Sequence, residues 1–335
     1  MARKMQGAPG RVVYLPHLIP NAGMTYFLYF LVGLGLLILG GSWLLRGAVD
    51  LSLRLAVPKI IIGMTVVSFA TSAPELIVSL QAAMEGYPDL SLGNVIGSNV
   101  ANLGLILAIT LFIGHVDVRR SFYFTDWPMM MLASLMLYGF MVADSQLESW
   151  EGGVLVVSLF LFLLYLLRFQ KTAVEEVNLH MPSRLPLYQT AFFLGAGGAG
   201  LWGGSELLIS GAEGLARYLG VSDRVIGITL VSVGTSIPEM AASVIAMIRK
   251  EKAISVGNLI GSNIFNILAV LGITALVHPI AIVDERLLSQ DIYWMLGFAL
   301  LILPLVFIPR GLRLGWKDGL VLLSAYLAFL YVSFS

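Results

Sequence analysis

GMTVVSFATSAPELIVSLQAA (residues 63–83) and GITLVSVGTSIPEMAASVIAM (residues 227–247) lie on one another when the chain is shifted by 164 positions. At the same shift, and with no gap, SLGNVIGSNVANL (91–103) lies on SVGNLIGSNIFNI (255–267). Over positions 63–110, 21 of 48 residues are identical. Shared hydrophobicity alone would gather the identities on Leu, Ile and Val; they gather instead on Gly, Ser, Thr, Asn, Pro and Glu. The chain is therefore built from two copies of one element, and what is duplicated is its polar content.

That polar content sits in an apolar setting. Of 335 residues, 58% are hydrophobic and 12% charged, against about 25% charged in an ordinary soluble domain. The apolar residues form runs about as long as the ~20 residues a helix needs to cross a bilayer. Ten spans are predicted, at 24–46, 57–84, 90–114, 124–143, 152–168, 188–212, 220–248, 253–277, 288–308 and 316–334. The expected fold is an all-α polytopic membrane protein of ten transmembrane helices. It divides into an N-terminal tail (1–23), a first five-helix repeat (24–168), a cytoplasmic linker (169–187) and a second five-helix repeat (188–335). The tail has no short apolar core with a small-residue cleavage site, so it reads as retained rather than as a signal peptide.

Equivalent positions are five spans apart. Five is odd, so the copies cross in opposite senses, as inverted repeats do. Charge tests this independently: six Lys and Arg fall on the side of the termini and fourteen on the other. By the positive-inside rule both termini face outward and the linker is cytoplasmic. The matching turns MEGYPDL (84–90) and IRKEKAI (248–254) carry opposite charge, as loops on opposite faces should.

Glu75 and Glu239 each fall inside a span, where a carboxylate costs about 2.5–3.5 kcal/mol on insertion scales. Binding a neighbouring helix is the bland explanation, and duplication weighs against it. Pro74 and Pro238 lack an N–H, which deprives the carbonyls of Ala70 and Gly234 of their helical donors. At membrane depth such broken backbone is tolerated only where it lines a cavity or is buried in protein. Thr71 and Ser72, with Thr235 and Ser236, stand beside the breaks. Asn94, Ser98 and Asn102 recur every fourth residue, as do Asn258, Ser262 and Asn266, so each set occupies one helical face. The interleaved Gly93, Gly97, Gly257 and Gly261 read first as close-packing positions.

Carboxylates, amides, hydroxyls and carbonyls suit hard cations; calcium takes six to eight oxygens in flexible geometry. With no cysteine in the chain and no His in either cluster, softer transition metals are poorly served. GAGGAG (195–200) matches a dinucleotide-binding pattern but follows no predicted strand and reads as helix packing. His115 and His278 are expected at span ends, and Glu206, whose repeat mate is Ser42, is expected as a helix-end carboxylate. Zero net charge argues against nucleic acid. H-E-x-x-H and G-x-S-x-G do not occur, so an enzyme has little support.

SFATSAPEL with GNVIGSNVAN, and SVGTSIPEM with GNLIGSNIFN, closely resemble the two alpha repeats of the sodium/calcium exchanger family, within the calcium/cation antiporter superfamily. The resemblance implies that Glu75 and Glu239 are the central calcium ligands, shared with sodium, and that the carbonyls of Thr71 and Thr235 join them. Ser72, Ser98, Ser236 and Ser262 would line flanking sodium sites, aided by backbone oxygens of Ser68 and Ser232; Asn102 and Asn266 would complete the centre. Some relatives carry Asp at one of these last two positions, notably the potassium-dependent ones; two Asn argue against potassium co-transport. The long regulatory insertion of animal exchangers has no counterpart in the short linker, so the compact form is similar to a prokaryotic calcium/sodium antiporter.

The expected function is exchange of calcium for sodium by alternating access. Its ligands are the transported ions, with no cofactor, and its setting is the bilayer of a prokaryotic inner membrane, with no obligate protein partner evident. A cation/proton antiporter is the nearest alternative and a cation channel a more distant one.

Overall fold

In a computed structural model of the chain, the structure describes residues 22–118, 121–169, 185–219, 234–308 and 311–333. Expectations for the tail, for most of the linker and for Ser232 lie outside the described residues.

The chain is helical almost throughout. The helices are α1 (Ala22–Leu55), α2 (Lys59–Thr71), α3 (Ala73–Met84), α4 (Pro88–Ile113), α5 (Phe122–Asp144) and α6 (Ser149–Phe169). They continue with α7 (Leu187–Tyr218), α8 (Ile237–Ile248), α9 (Lys252–Val277), α10 (Leu287–Phe307) and α11 (Trp316–Ser333). Among the described residues, six helices are long and apolar enough to cross a membrane, or seven if α2 and α3, bent 45° to each other, form one span. The expected span 220–248 is described only in its last part, as α8.

Two expectations change. Helix α1 runs nine residues past position 46 because its end is not apolar but paired: Asp50 and Arg54 lie one turn apart at 2.7 Å, a stabilising helical spacing. The same Asp50 accepts the Leu185 N–H at 3.0 Å just ahead of α7 and a hydrogen bond from Thr190 within it. Glu206, expected at a helix end, lies within α7 and is exposed, because α7 continues to Tyr218.

The all-α expectation also omits two pairs of two-residue strands. β1 (Val116–Asp117) pairs antiparallel with β4 (Arg313–Leu314), and β2 (Gln146–Leu147) with β3 (Ile280–Ala281). Each pair joins one half of the chain to the other. Strands this short leave no alternation to read.

Packing falls into two bodies. A large apolar core gathers α4, α5, α6, α9, α10 and α11 around Phe298, Leu92, Leu103, Ile106 and Leu137. A smaller one joins α1, α7, α8 and part of α2 around Leu37, Leu44 and Leu201. Between α1 and α7 the approach is backbone to backbone. A Cβ at Gly40 would stand 2.7 Å from the Leu201 nitrogen, and one at Gly204 would stand 2.8 Å from that of Leu37. Gly33, Gly40 and Gly47 recur every seven residues, as do Gly197, Gly204 and Gly211, so each helix offers a smooth seam. GAGGAG is thus helix packing, as expected.

Candidate ion-binding site

Each site element begins at a proline. Pro74 and Pro238 occupy the first turn of α3 and α8, where the missing N–H is no loss. The residues before these helices, Ser72 and Ser236, share nearly the same backbone angles, φ −84°, ψ 4° and φ −88°, ψ 5°. One ladder stops and another starts: the Ser72 N–H reaches the Ser68 carbonyl at 2.8 Å, and the Leu76 N–H reaches the Ser72 carbonyl at 3.2 Å. The restart sets Glu75 and Glu239 in a first helical turn, where unpaired N–H groups favour negative charge.

The facing helices are matched as well. In both α4 and α9 the winding loosens to a π turn at the last residue of the polar stripe, over Asn102–Ile106 and Asn266–Leu271. Such turns often mark functional positions.

The two copies meet at the acids. Glu75 and Glu239 are both fully buried and close enough for the charge of one to act on the other. Ser72 donates to Oε1 of Glu239 at 3.1 Å, and the hydroxyls of Thr71 and Ser262 meet across the repeat at 3.4 Å. Asn266 Nδ2 donates to Ser98 Oγ at 3.0 Å and to Asn99 Oδ1 at 3.1 Å, again across the repeat. Thr235 donates to Asn94 Oδ1 at 3.1 Å. The Ser68 carbonyl accepts from the Ser72 N–H and, at 3.3 Å, shares the single proton of the Thr71 hydroxyl with Asn258 Oδ1, which lies at 3.2 Å.

Hydrogen bonding is incomplete where it would be expected to be complete. Buried polar atoms are normally paired, yet twelve buried side-chain atoms among the described residues have no partner, and seven belong to candidate residues. Six of the seven are oxygens: both of Glu75, Oε2 of Glu239, Oγ of Ser236, and Oδ1 of Asn102 and of Asn266. Among the described residues no three His, Cys, Asp or Glu side chains cluster; what this cluster offers is two carboxylates among neutral oxygens.

Two pairs of residues have roles that spacing does not give. Asn94 and Asn258 lie on the stripe and hold the threonines of the opposite copy. Asn99, off the stripe, donates to the Asn263 carbonyl at 3.2 Å and joins α4 to α9. The duplicated GSN was the available signal. His115 and His278 are exposed at helix ends, as expected.

A family model described as sodium/calcium exchanger protein matches residues 25–168 and 190–335. The chain belongs to the sodium/calcium exchanger family. The sodium/calcium exchanger MaX1 of Methanosarcina acetivorans is 28% identical over 349 aligned positions, covering 92% of this chain and 98% of MaX1. The inner membrane protein YrbG of Escherichia coli strain K12 is 33% identical, covering 90% of this chain and 94% of YrbG. The solved sodium/calcium exchanger from Methanococcus jannaschii superposes with a TM-score of 0.77 at 27% identity, covering 92% of this chain and 98% of that one. As a member of that family the protein is a multi-pass integral membrane ion exchanger, of a family of transporters and not of enzymes.

Proposed function

We propose that this protein exchanges calcium for sodium by alternating access at one central site built on Glu75 and Glu239. The six buried oxygens without a hydrogen-bond partner carry the proposal. Isolated buried carboxylates cost several kcal/mol each, and six is the lower bound of calcium's usual coordination. Two carboxylates balance the ion's two charges; Asn102, Asn266, Ser236 and the carbonyls of Thr71 and Thr235 would supply neutral oxygens. Sodium would use the hydroxyls of Ser72, Ser98, Ser236 and Ser262, with backbone oxygens of Ser68 and Ser232, and would compete for the same acids. The Ser68 carbonyl is freed to do so when the Thr71 proton is directed to Asn258.

Coupling then follows from electrostatics. Bare acids are expensive to carry through a dry gate, so the site reorients only when loaded. The architecture that serves this is ten spans in two inverted five-helix repeats, 24–168 and 188–335, joined by the linker 169–187 and preceded by the tail 1–23. Reciprocal strand pairing between the halves is in keeping with it. Helices α1 and α7, seamed together by glycine, would move as one against the core. The name of YrbG and the Lys/Arg bias favour a prokaryotic inner membrane with both termini outside.

Purified protein in sealed vesicles tests this by calcium uptake under an imposed sodium, proton or null gradient. Uptake driven by sodium is the expected result. Uptake driven by pH and indifferent to sodium would make the protein a proton antiporter, and uptake needing no counter-ion would make it a channel.

A further inference from the structure

The threonine beside each helix break is held by the opposite copy. Thr71 Oγ1 donates to Asn258 Oδ1 at 3.2 Å, and Thr235 Oγ1 donates to Asn94 Oδ1 at 3.1 Å. Each asparagine uses its other face on its own copy. Asn258 Nδ2 donates to Ser243 Oγ at 3.0 Å and to the Glu239 carbonyl at 3.5 Å; Asn94 Nδ2 donates to Ser79 Oγ at 3.0 Å and to the Glu75 carbonyl at 3.4 Å. An amide has one accepting and one donating end, so committing Nδ2 to the serine and the glutamate backbone turns Oδ1 toward the foreign threonine. A carboxylate could accept from the threonine but could not donate to the rest.

The serines are tied in turn: Ser79 donates to the Ser91 carbonyl at 3.4 Å and Ser255 to the Ser243 carbonyl at 2.9 Å. Asn258 is fully buried and Asn94 half-buried. The Asn258 main-chain carbonyl also accepts from Ser68 Oγ at 3.0 Å, sharing that hydroxyl with the Gly63 carbonyl at 2.9 Å, so α9 meets the α2 side of the first break at two points. Gly261 allows this, since a Cβ there would stand 2.5 Å from the Met64 Cα.

We propose that Asn94 and Asn258 are positioning residues, a pair of cross-repeat clamps that hold Thr71 and Thr235 in place beside the glutamates and so set the affinity of the site for calcium. The proposal rests on the exchange reading above. The clamps fix the broken segments of both copies relative to each other. Reorientation is thereby left to helices other than α2, α3, α4, α8 and α9. The costlier clamp to break is Asn258 on Thr71, which has the fuller burial and the second anchor at Ser68; buried hydrogen bonds in networks are the costlier ones to lose.

The test compares T71V, T71S, N258A and the T71V/N258A double variant, with T235V and N94A as the matching set. Equilibrium calcium binding is read beside the KM and kcat of uptake. Calcium binding is measured without any counter-ion, so a wild-type protein that failed to exchange would sink the exchange reading and still leave the clamps measurable. T71V is expected to weaken calcium binding and raise KM about tenfold with kcat within about twofold, as the loss of one buried hydrogen bond would. T71S, which keeps the hydroxyl, should bind as wild type. The double variant should be no weaker than N258A alone, because the two residues share one interaction. T235V should weaken binding less than T71V. If N258A does not fold, T71V against T71S decides. Unchanged calcium affinity in T71V, or losses in T71V and N258A that simply multiply in the double variant, would overturn the proposal.

Discussion

Glu75 and Glu239 differ from glutamine in charge and hardly at all in volume, so exchanging one for the other separates electrostatics from packing. In E75Q or E239Q the folded protein should remain recoverable, since neither carboxylate forms an ion pair among the described residues and the amide removes a buried charge. Calcium-driven exchange should fall by at least about a hundredfold, the ~3 kcal/mol expected from losing one charged ligand, as read by uptake into vesicles. The acids, Thr71, Ser72, Thr235, Ser236, Ser98, Ser262, Asn102 and Asn266 could all be singled out from duplication and spacing, because a polar residue that recurs in two apolar copies has few structural excuses. Which amide end faces which neighbour could not. Asn94 and Asn258 share a helical face with Ser98 and Ser262, and spacing alone does not say whether a side chain on that face meets an ion or a threonine.

The helix breaks were legible because proline announces them chemically. The π turns at Asn102 and Asn266 were not, since an extra residue in a turn has no compositional signature. The glycine seams lie between. GAGGAG reads as packing from the sequence, yet its partner surface on α1 becomes clear only when Gly33, Gly40 and Gly47 are seen against α7. G40V should push a side chain into the Leu201 backbone and cost about 1–3 kcal/mol, as overpacking does, with thermal unfolding as the measure. Calcium binding should survive in G40V while transport slows, because the site is on the other helices. G261A presses on Met64 and Ser68 at the site itself, and there calcium binding should weaken along with stability.

For the molecule as a whole, the division into matching halves is read from the repeat in the sequence. Orientation in the membrane rests on charge alone. The natural absence of cysteine makes it testable with single introduced thiols: E85C should react with an impermeant reagent added outside intact cells, and K250C only after the membrane is opened. The reverse pattern would invert the topology. The idea that a transport cycle runs through one shared centre makes a sharper demand. Equilibrium binding of calcium to the purified protein, titrated with sodium, should show one central ion that sodium displaces, and that ion should be lost in E75Q and in E239Q alike. Calcium bound with undiminished affinity in either variant, or bound indifferently to sodium, would contradict the account.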